Sequence, residues 1–313
     1  MNLEETRQST NAVLMIRPAH FGYNPQTAAN NAFQQNDPTR SANEIAEKAR
    51  KEFDLMAESL SNHGVEVLVV EDDPNVPCTD AVFPNNWISM HEDGTVITYP
   101  MFSEIRRRER REDIIAQLGT RYHIADRLRL EWHEAEDRFL EGTGSLVLDR
   151  VHHVAYACHS VRTHPDLLED FCTFAGYERV SFTAVDKSGH PIYHTNVMMA
   201  VGDSFAVVAL DALVYPEERA MLLAHLEHSG KAVVEISLEQ MQSFAGNMLA
   251  LRDKEGRPLL VMSATALRSL TDGQKAQLAA HATLLAFEIP TIETFGGGSV
   301  RCMLAEIFLP RRS

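Results

Sequence analysis

The feature that most limits how this chain can fold is a recurring order of elements: two short apolar strands, a helix, and a third strand. Apolar runs at 80–90 and 94–99, 144–148 and 153–156, 196–201 and 204–209, and 247–252 and 259–263 are parted by short polar turns and read as antiparallel hairpins. Helical spacing follows each pair, at 106–118, 165–175, 216–229 and 271–281. Strand-like runs at 179–185, 232–236 and 284–290 follow three of those helices. The N-terminal part has a strand at 11–17 ended by Pro18, a helix at 41–62 with Ala46, Ala49, Phe53, Met56 and Leu60 on one face, and a strand at 65–70. A unit of roughly fifty residues thus recurs in architecture without recurring in residues. Hairpin-joined strands argue against a doubly wound parallel sheet. With no linker or low-complexity stretch, the expectation is one closed α/β domain, 1–313, built of repeated ββαβ units.

Charge and cysteine usage narrow the function. A net charge of −15 argues against nonspecific nucleic-acid binding. The basic cluster at 106–111 is interrupted by Glu109 and followed by Glu112 and Asp113, as on a solvated helix face. No apolar run approaches the length of a membrane span, and the acidic start, Met1 to Glu5, lacks the apolar core of a secretory leader. The four cysteines, Cys78, Cys158, Cys172 and Cys302, form no CxxC pair, so neither a disulfide framework nor a common zinc site is expected. Reduced thiols in a cytoplasm are the simplest account, with no metal or cofactor. The oligomeric state stays open, a homo-oligomer included.

Chemistry concentrates where polar groups precede strands. Phe295-Gly-Gly-Gly-Ser-Val-Arg-Cys302 sets a thiol where a glycine turn meets an apolar run at 303–309, and Gly296, Gly297 and Gly298 let backbone N–H groups approach a ligand. On local pattern alone a tight turn with a buried, inert cysteine is equally consistent. Among fourteen histidines, His194 stands out because Pro191-Ile-Tyr-His-Thr-Asn196 occupies the same loop-to-strand position. Glu141, in Phe139-Leu-Glu-Gly-Thr-Gly-Ser145, does so too, although a capping carboxylate reads the same way. Asp80-Ala-Val-Phe-Pro-Asn85-Asn86-Trp87 brings two carboxamides to a fourth such place, and the Asn-rich loop at 21–36 offers Asn24, Thr27, Asn30 and Asn31. In a closed, radially repeated fold these ends converge on the axis. Cysteine, histidine and carboxylate together are what thiol catalysis requires.

These motifs resemble the guanidino-group-modifying superfamily of arginine deiminases, dimethylarginine dimethylaminohydrolases and amidinotransferases. The resemblance covers nearly the whole chain. It implies a five-bladed α/β propeller, the pentein fold, with a central site. Glu141-Gly142 resembles the substrate-contacting Glu-Gly, His194-Thr195-Asn196 the His-x-Asp motif, and Cys302 with Gly297 and Gly298 the nucleophile loop, although Arg301 stands where many members carry His. The Asp80–Asn86 segment is similar to the dimethylarginine hydrolases' Asp-Ala-Val-Phe-x-Glu-Asp, and Arg107, Arg108 and Arg162 resemble their carboxylate-binding arginines. The Pro-Asn-Asn-Trp segment and Asn-rich loop are most like the arginine deiminase-related, citrulline-utilisation hydrolases.

The departures carry information. Asn85, Asn86, Asn196 and Gly144 stand where many relatives have Glu or Asp. A guanidinium wants bidentate carboxylates, whereas carboxamides suit a neutral ureido group. The expectation is a hydrolase acting on the ureido or guanidino group of a free amino acid, citrulline or arginine-like. Cys302 attacks as a thiolate paired with His194, Glu141 and the carboxamides orient the planar group, and Asp80 holds the α-amino group. An amidinotransferase with the same nucleophile and a non-catalytic binding protein of this fold are the alternatives.

Overall fold

The computed structural model describes residues 6–312; residues 1–5, on which the absence of a leader was read, and residue 313 lie outside the described residues. The strands are β1 (Ala12–Arg17), β2 (Glu66–Glu71), β3 (Ile88–Met90), β4 (Thr95–Thr98), β5 (Asp126–Arg129), β6 (Val147–Asp149), β7 (Val154–Cys158) and β8 (Glu178–Phe182). They continue as β9 (Met199–Val201), β10 (Phe205–Val208), β11 (Ala232–Glu235), β12 (Leu249–Arg252), β13 (Pro258–Ser263), β14 (Thr283–Phe287) and β15 (Ala305–Glu306). They form five three-stranded sheets, ordered β15-β1-β2, β3-β4-β5, β6-β7-β8, β9-β10-β11 and β12-β13-β14. In each sheet the first pairing is antiparallel and the second, across a helical crossover, is parallel. These are the blades of a five-bladed α/β propeller.

The inner strands stand side by side around the axis, β15 next to β3, β6 next to β9, and β9 next to β12. The first blade takes its inner strand from the C-terminus: Val13 pairs with Glu306 and Leu14 with Ala305, and the Ile307 N–H donates to the Ala12 carbonyl at 2.9 Å. That pairing closes the ring. The crossover helix Ala42–Asn62 shows how sequence makes a blade. Ser41 caps it in a capping box with Glu44, and Ile45, Ala49, Phe53, Met56 and Leu60 form a buried stripe. No helix among the described residues is long and apolar enough to cross a membrane.

Several elements differ from the sequence expectation. The runs expected as strands at 80–90, 144–148 and 196–201 are strands only at their ends. Each begins as a helical turn, at Pro84–Asn86, Gly142–Ser145 and Thr195–Val197. The apolar run at 303–309 likewise follows a turn at Val300–Met303 and is a strand only at β15. Apolar composition marked burial there, while the polar leading residues bond across the axis in place of a ladder. The helix expected at 106–118 is a short turn, Arg106–Glu109, then a helix, Glu112–Arg121. Strand β5 was not foreseen because its Asp-Arg-Leu-Arg sequence suits an exposed sheet edge and lacks apolar alternation. The helix Pro290–Gly296 was not foreseen either; it is shorter than periodicity can resolve.

Phe53, on the Ala42–Asn62 helix, is fully buried in the cluster that joins that helix to β1 and to the Cys302 loop. Phe53→Ala should destabilise the protein by about 3–5 kcal/mol, measured by urea denaturation; a loss under about 1 kcal/mol would mean that this core does not hold the blade.

Candidate functional site

Each blade brings one residue to the leading end of its inner strand, Asn86 before β3, Gly144 before β6, Asn196 before β9, Asn247 before β12 and Cys302 before β15; four of the five carry a polar side chain or thiol, and Gly144 carries none. Beside them lies a small cleft lined by Cys302, His194, Asp80, Asn86, Arg106, Arg162, Tyr193, Phe83 and Gly296–Gly298, with Thr27 and Asn31 of the Asn-rich loop. Glu141 sits fully buried behind it.

Glu141 is the electrostatic centre. One carboxylate oxygen accepts from the Phe102 N–H at 2.9 Å. The other accepts from His194 Nε2 at 2.8 Å and lies 3.4 Å from Arg162 and 3.9 Å from Arg106. Burial would push this carboxyl up, but Arg162, His194 and Arg106 outweigh it and hold it well below the usual carboxylate range. His194 goes the other way. Burial pushes it down to about 4, against the pull of Glu141 and with help from Arg162 and Arg106. The imidazole is therefore neutral at physiological pH. With Nε2–H donated to the carboxylate, Nδ1 is its basic nitrogen.

Asn86 is oriented just as firmly. Arg106, itself gripped by Glu109 at 2.9 Å, donates to Asn86 Oδ1 at 2.8 Å. An arginine can only donate, so this bond assigns the oxygen and leaves Nδ2 as the other end. That Nδ2 is buried and has no hydrogen-bond partner among the described residues. Gly144 makes the room, since a Cβ there would collide with Asn86 Nδ2 and with the His194 ring. Asp80 shows the same half-satisfied state: Oδ2 accepts from Asn24 at 2.6 Å, while Oδ1 is buried without a partner among the described residues.

The structure brings together Cys302, His194, Asp80, Asn86, Arg162, Gly297 and Gly298 on the cleft, with Glu141 and Asn196 directly behind. It leaves out others. Arg108 is exposed, and Arg107 turns toward Glu134 and the Met101 carbonyl; the cleft arginine of this segment is Arg106, which the charge run could not single out. Asn85 is fully buried away from the cleft.

No hydrogen bond joins His194 to Cys302, as the expected ion pair would require; Nε2 is bonded to Glu141, and Nδ1 is left as the free nitrogen. The polar neighbours of Sγ are Asn247 Nδ2 at 3.3 Å, Asn196 Nδ2 at 3.5 Å and, more distant, Asn196 Oδ1 at 3.9 Å, to which the thiol can donate. Of the glycine N–H groups expected to face a ligand, that of Gly297 is taken up within the loop, and carbonyls of the loop accept from side chains of other segments. Gln34 donates to Phe295 O at 2.7 Å, Tyr193 Oη to Gly297 O at 2.6 Å, and the Gly297 N–H is spent on Glu293. Gly297 adopts φ +63° and faces Asn31, a place no side chain could take. Arg301 points away, to Glu306 at 2.9 Å. Tyr193 and Asn247 were missed; only the positional equivalence of the five leading ends marks Asn247. Among the described residues no group of three or more His, Cys, Asp or Glu side chains is placed to hold a metal ion.

Comparison with known proteins agrees with this fold. The family profile described as N,N dimethylarginine dimethylhydrolase, eukaryotic, matches residues 17–309. No curated protein sequence matches. Among solved structures, the substrate-bound N-terminal domain of ArgZ, an arginine dihydrolase of the ornithine–ammonia cycle in cyanobacteria, superposes with a TM-score of 0.71 at 17% identity, covering 96% of this chain and 98% of that one. Unliganded AgrE gives 0.72 at 16% identity, covering 96% of this chain and 40% of AgrE. A DDAH from Pseudomonas aeruginosa, complexed with citrulline, gives 0.64 at 14%, covering 95% and 99%. At such identities these structures establish the shared fold.

The low His194 value has a measurable sign. The unfolded chain protonates this residue below about pH 6.5, whereas the folded protein does so only below about 4. Stability therefore falls as pH drops through that window, by about 3 kcal/mol from this group alone. His194→Gln should lose that part of the acid slope, read by denaturation at about pH 7 and at the lower limit; an unchanged slope would mean that His194 is not held neutral.

Proposed function

The chain belongs to the N,N dimethylarginine dimethylhydrolase family, and on that premise we propose that it is a cysteine hydrolase, residues 1–313 acting as one catalytic domain, that cleaves a C–N bond in the ureido group of a free amino acid of the citrulline type. The observation that carries this reading is the Asn86 amide. Its oxygen is pinned by Arg106, so the cleft presents a buried N–H donor that requires an acceptor. A ureido group has a carbonyl oxygen to give it; a guanidinium has only donors. Leaving a buried donor unpaired costs about 1–3 kcal/mol, a substantial preference for the ureido ligand.

The chemistry follows from the groups in place. Sγ of Cys302 attacks the ureido carbon, and the thiol proton passes to Nδ1 of His194. The carbon–nitrogen bond then breaks, and His194 returns the proton to the departing amine. The resulting S-carbamoyl group is hydrolysed by a water that His194 deprotonates, which restores the thiol and releases carbamic acid when the amino acid is the first leaving group. Glu141 keeps the imidazole in the Nδ1-basic tautomer and stabilises it when protonated. Arg162 faces the substrate α-carboxylate, and the free Oδ1 of Asp80 receives the α-ammonium. Citrulline is neutral overall, so it enters this buried cleft without the desolvation cost of an extra guanidinium charge.

Purified protein should turn over citrulline at least about tenfold faster than arginine or methylated arginines, the factor that about 1.4 kcal/mol of donor mismatch supplies. Cys302→Ala should abolish turnover with the fold intact. Preference for a guanidino substrate would sink the ureido reading, and retained activity in Cys302→Ala would sink the thiol route.

A further inference from the structure

Asn247 is fully buried just ahead of β12, the position that Asn86 and Cys302 hold in their own blades. Its carboxamide ties three elements together. Oδ1 accepts from the Arg301 N–H at 3.0 Å, and Nδ2 donates to the Asn196 carbonyl at 2.9 Å and reaches Cys302 Sγ at 3.3 Å. A backbone N–H can only donate, so the oxygen end is assigned, and the two hydrogens of Nδ2 serve the carbonyl and the sulfur. Asn196 Nδ2 approaches the same sulfur at 3.5 Å. His194 makes its hydrogen bond to Glu141 instead.

We infer that Asn247 is a catalytic residue: with Asn196 it forms a carboxamide cradle that stabilises negative charge on Sγ as the thiol loses its proton. The inference rests on Cys302 being the nucleophile. Preorganised N–H donors in a dry site are strongest toward an anionic acceptor and need no rearrangement as the charge appears. A carboxylate at either position would instead set like charge against the sulfur. The cradle also divides the work. Two amides hold the sulfur, and His194 stays free to carry the proton between thiol, leaving amine and water.

The rate at which iodoacetamide alkylates Cys302, followed without substrate by mass spectrometry of the Cys302 peptide across neutral to alkaline pH, reads this directly. Asn247→Ala should slow alkylation at neutral pH by about tenfold to a hundredfold, the worth of one hydrogen bond to a charged acceptor. Its pH dependence should move to higher pH. Asn247→Asp matches the carboxamide in size and keeps the acceptor for Arg301, so it should be slower still, an order that a packing role does not produce. Alkylation of Asn247→Asp as fast as the wild type, or a profile that Asn247→Ala leaves in place, would overturn the inference. If neither Asn247 variant folds, Asn196→Asp decides in the same assay, and an unshifted profile there overturns it equally. Failure of the nucleophile reading is separate, because it appears as turnover by Cys302→Ala whatever the alkylation profile.

Discussion

The pairing of β15 with β1 is the constraint on which the rest of the molecule depends. A two-residue strand from the C-terminus completes the first blade, so the five sheets meet as a ring and not as an open row. Only a closed ring points the five leading ends at one another. Cys302 lies three residues before that strand, so the closure that joins the termini also delivers the thiol to the axis. Residues more than 200 positions apart in sequence, such as Asp80 and Cys302, become walls of one cleft.

Within the cleft, charge is arranged so that no group stands alone. Glu141, buried behind His194, would be prohibitive without the two arginines and the imidazole around it. It returns that stabilisation as order, because it selects the imidazole tautomer and leaves Nδ1 as the basic nitrogen. Arg106 does for Asn86 what Glu141 does for His194, fixing which end of the side chain the substrate meets. Gly144 is the counterpart of both, a missing side chain whose space the amide and the imidazole share. A polar, carboxamide-lined site results, with its donors and acceptors set before any ligand arrives.

The repeated ββαβ unit was legible because it is written in apolar periodicity, which survives the loss of residue identity between blades; the five-bladed propeller was implied by the family resemblance. Cys302, His194 and Glu141 were legible because each is a chemically distinctive residue shortly before an apolar strand, although the point equivalent to Cys302 is held by Asn196 and Gly144 in their blades. Asn247 stands at that point too, but an asparagine before Met248 and Leu249 carries no chemical signal of its own. Which of three consecutive arginines turns inward depends on the pitch of a four-residue turn, and Arg106 turns inward there because Glu109 and Asn86 accept its hydrogen bonds. The capping of the Phe295 carbonyl by Gln34 and of the Gly297 carbonyl by Asn31 and Tyr193 involves contacts between segments far apart in the chain, which no local pattern encodes.

The central claim is that the Cys302 sulfur bonds to a ureido carbon. Rapid acid quench of the protein during turnover of citrulline, followed by mass spectrometry of its cysteine peptides, tests it most directly. The account predicts a carbamoyl group on Cys302 and none on Cys78, Cys158 or Cys172. A protein that consumes citrulline while Cys302 stays unmodified through the whole quench series would contradict it.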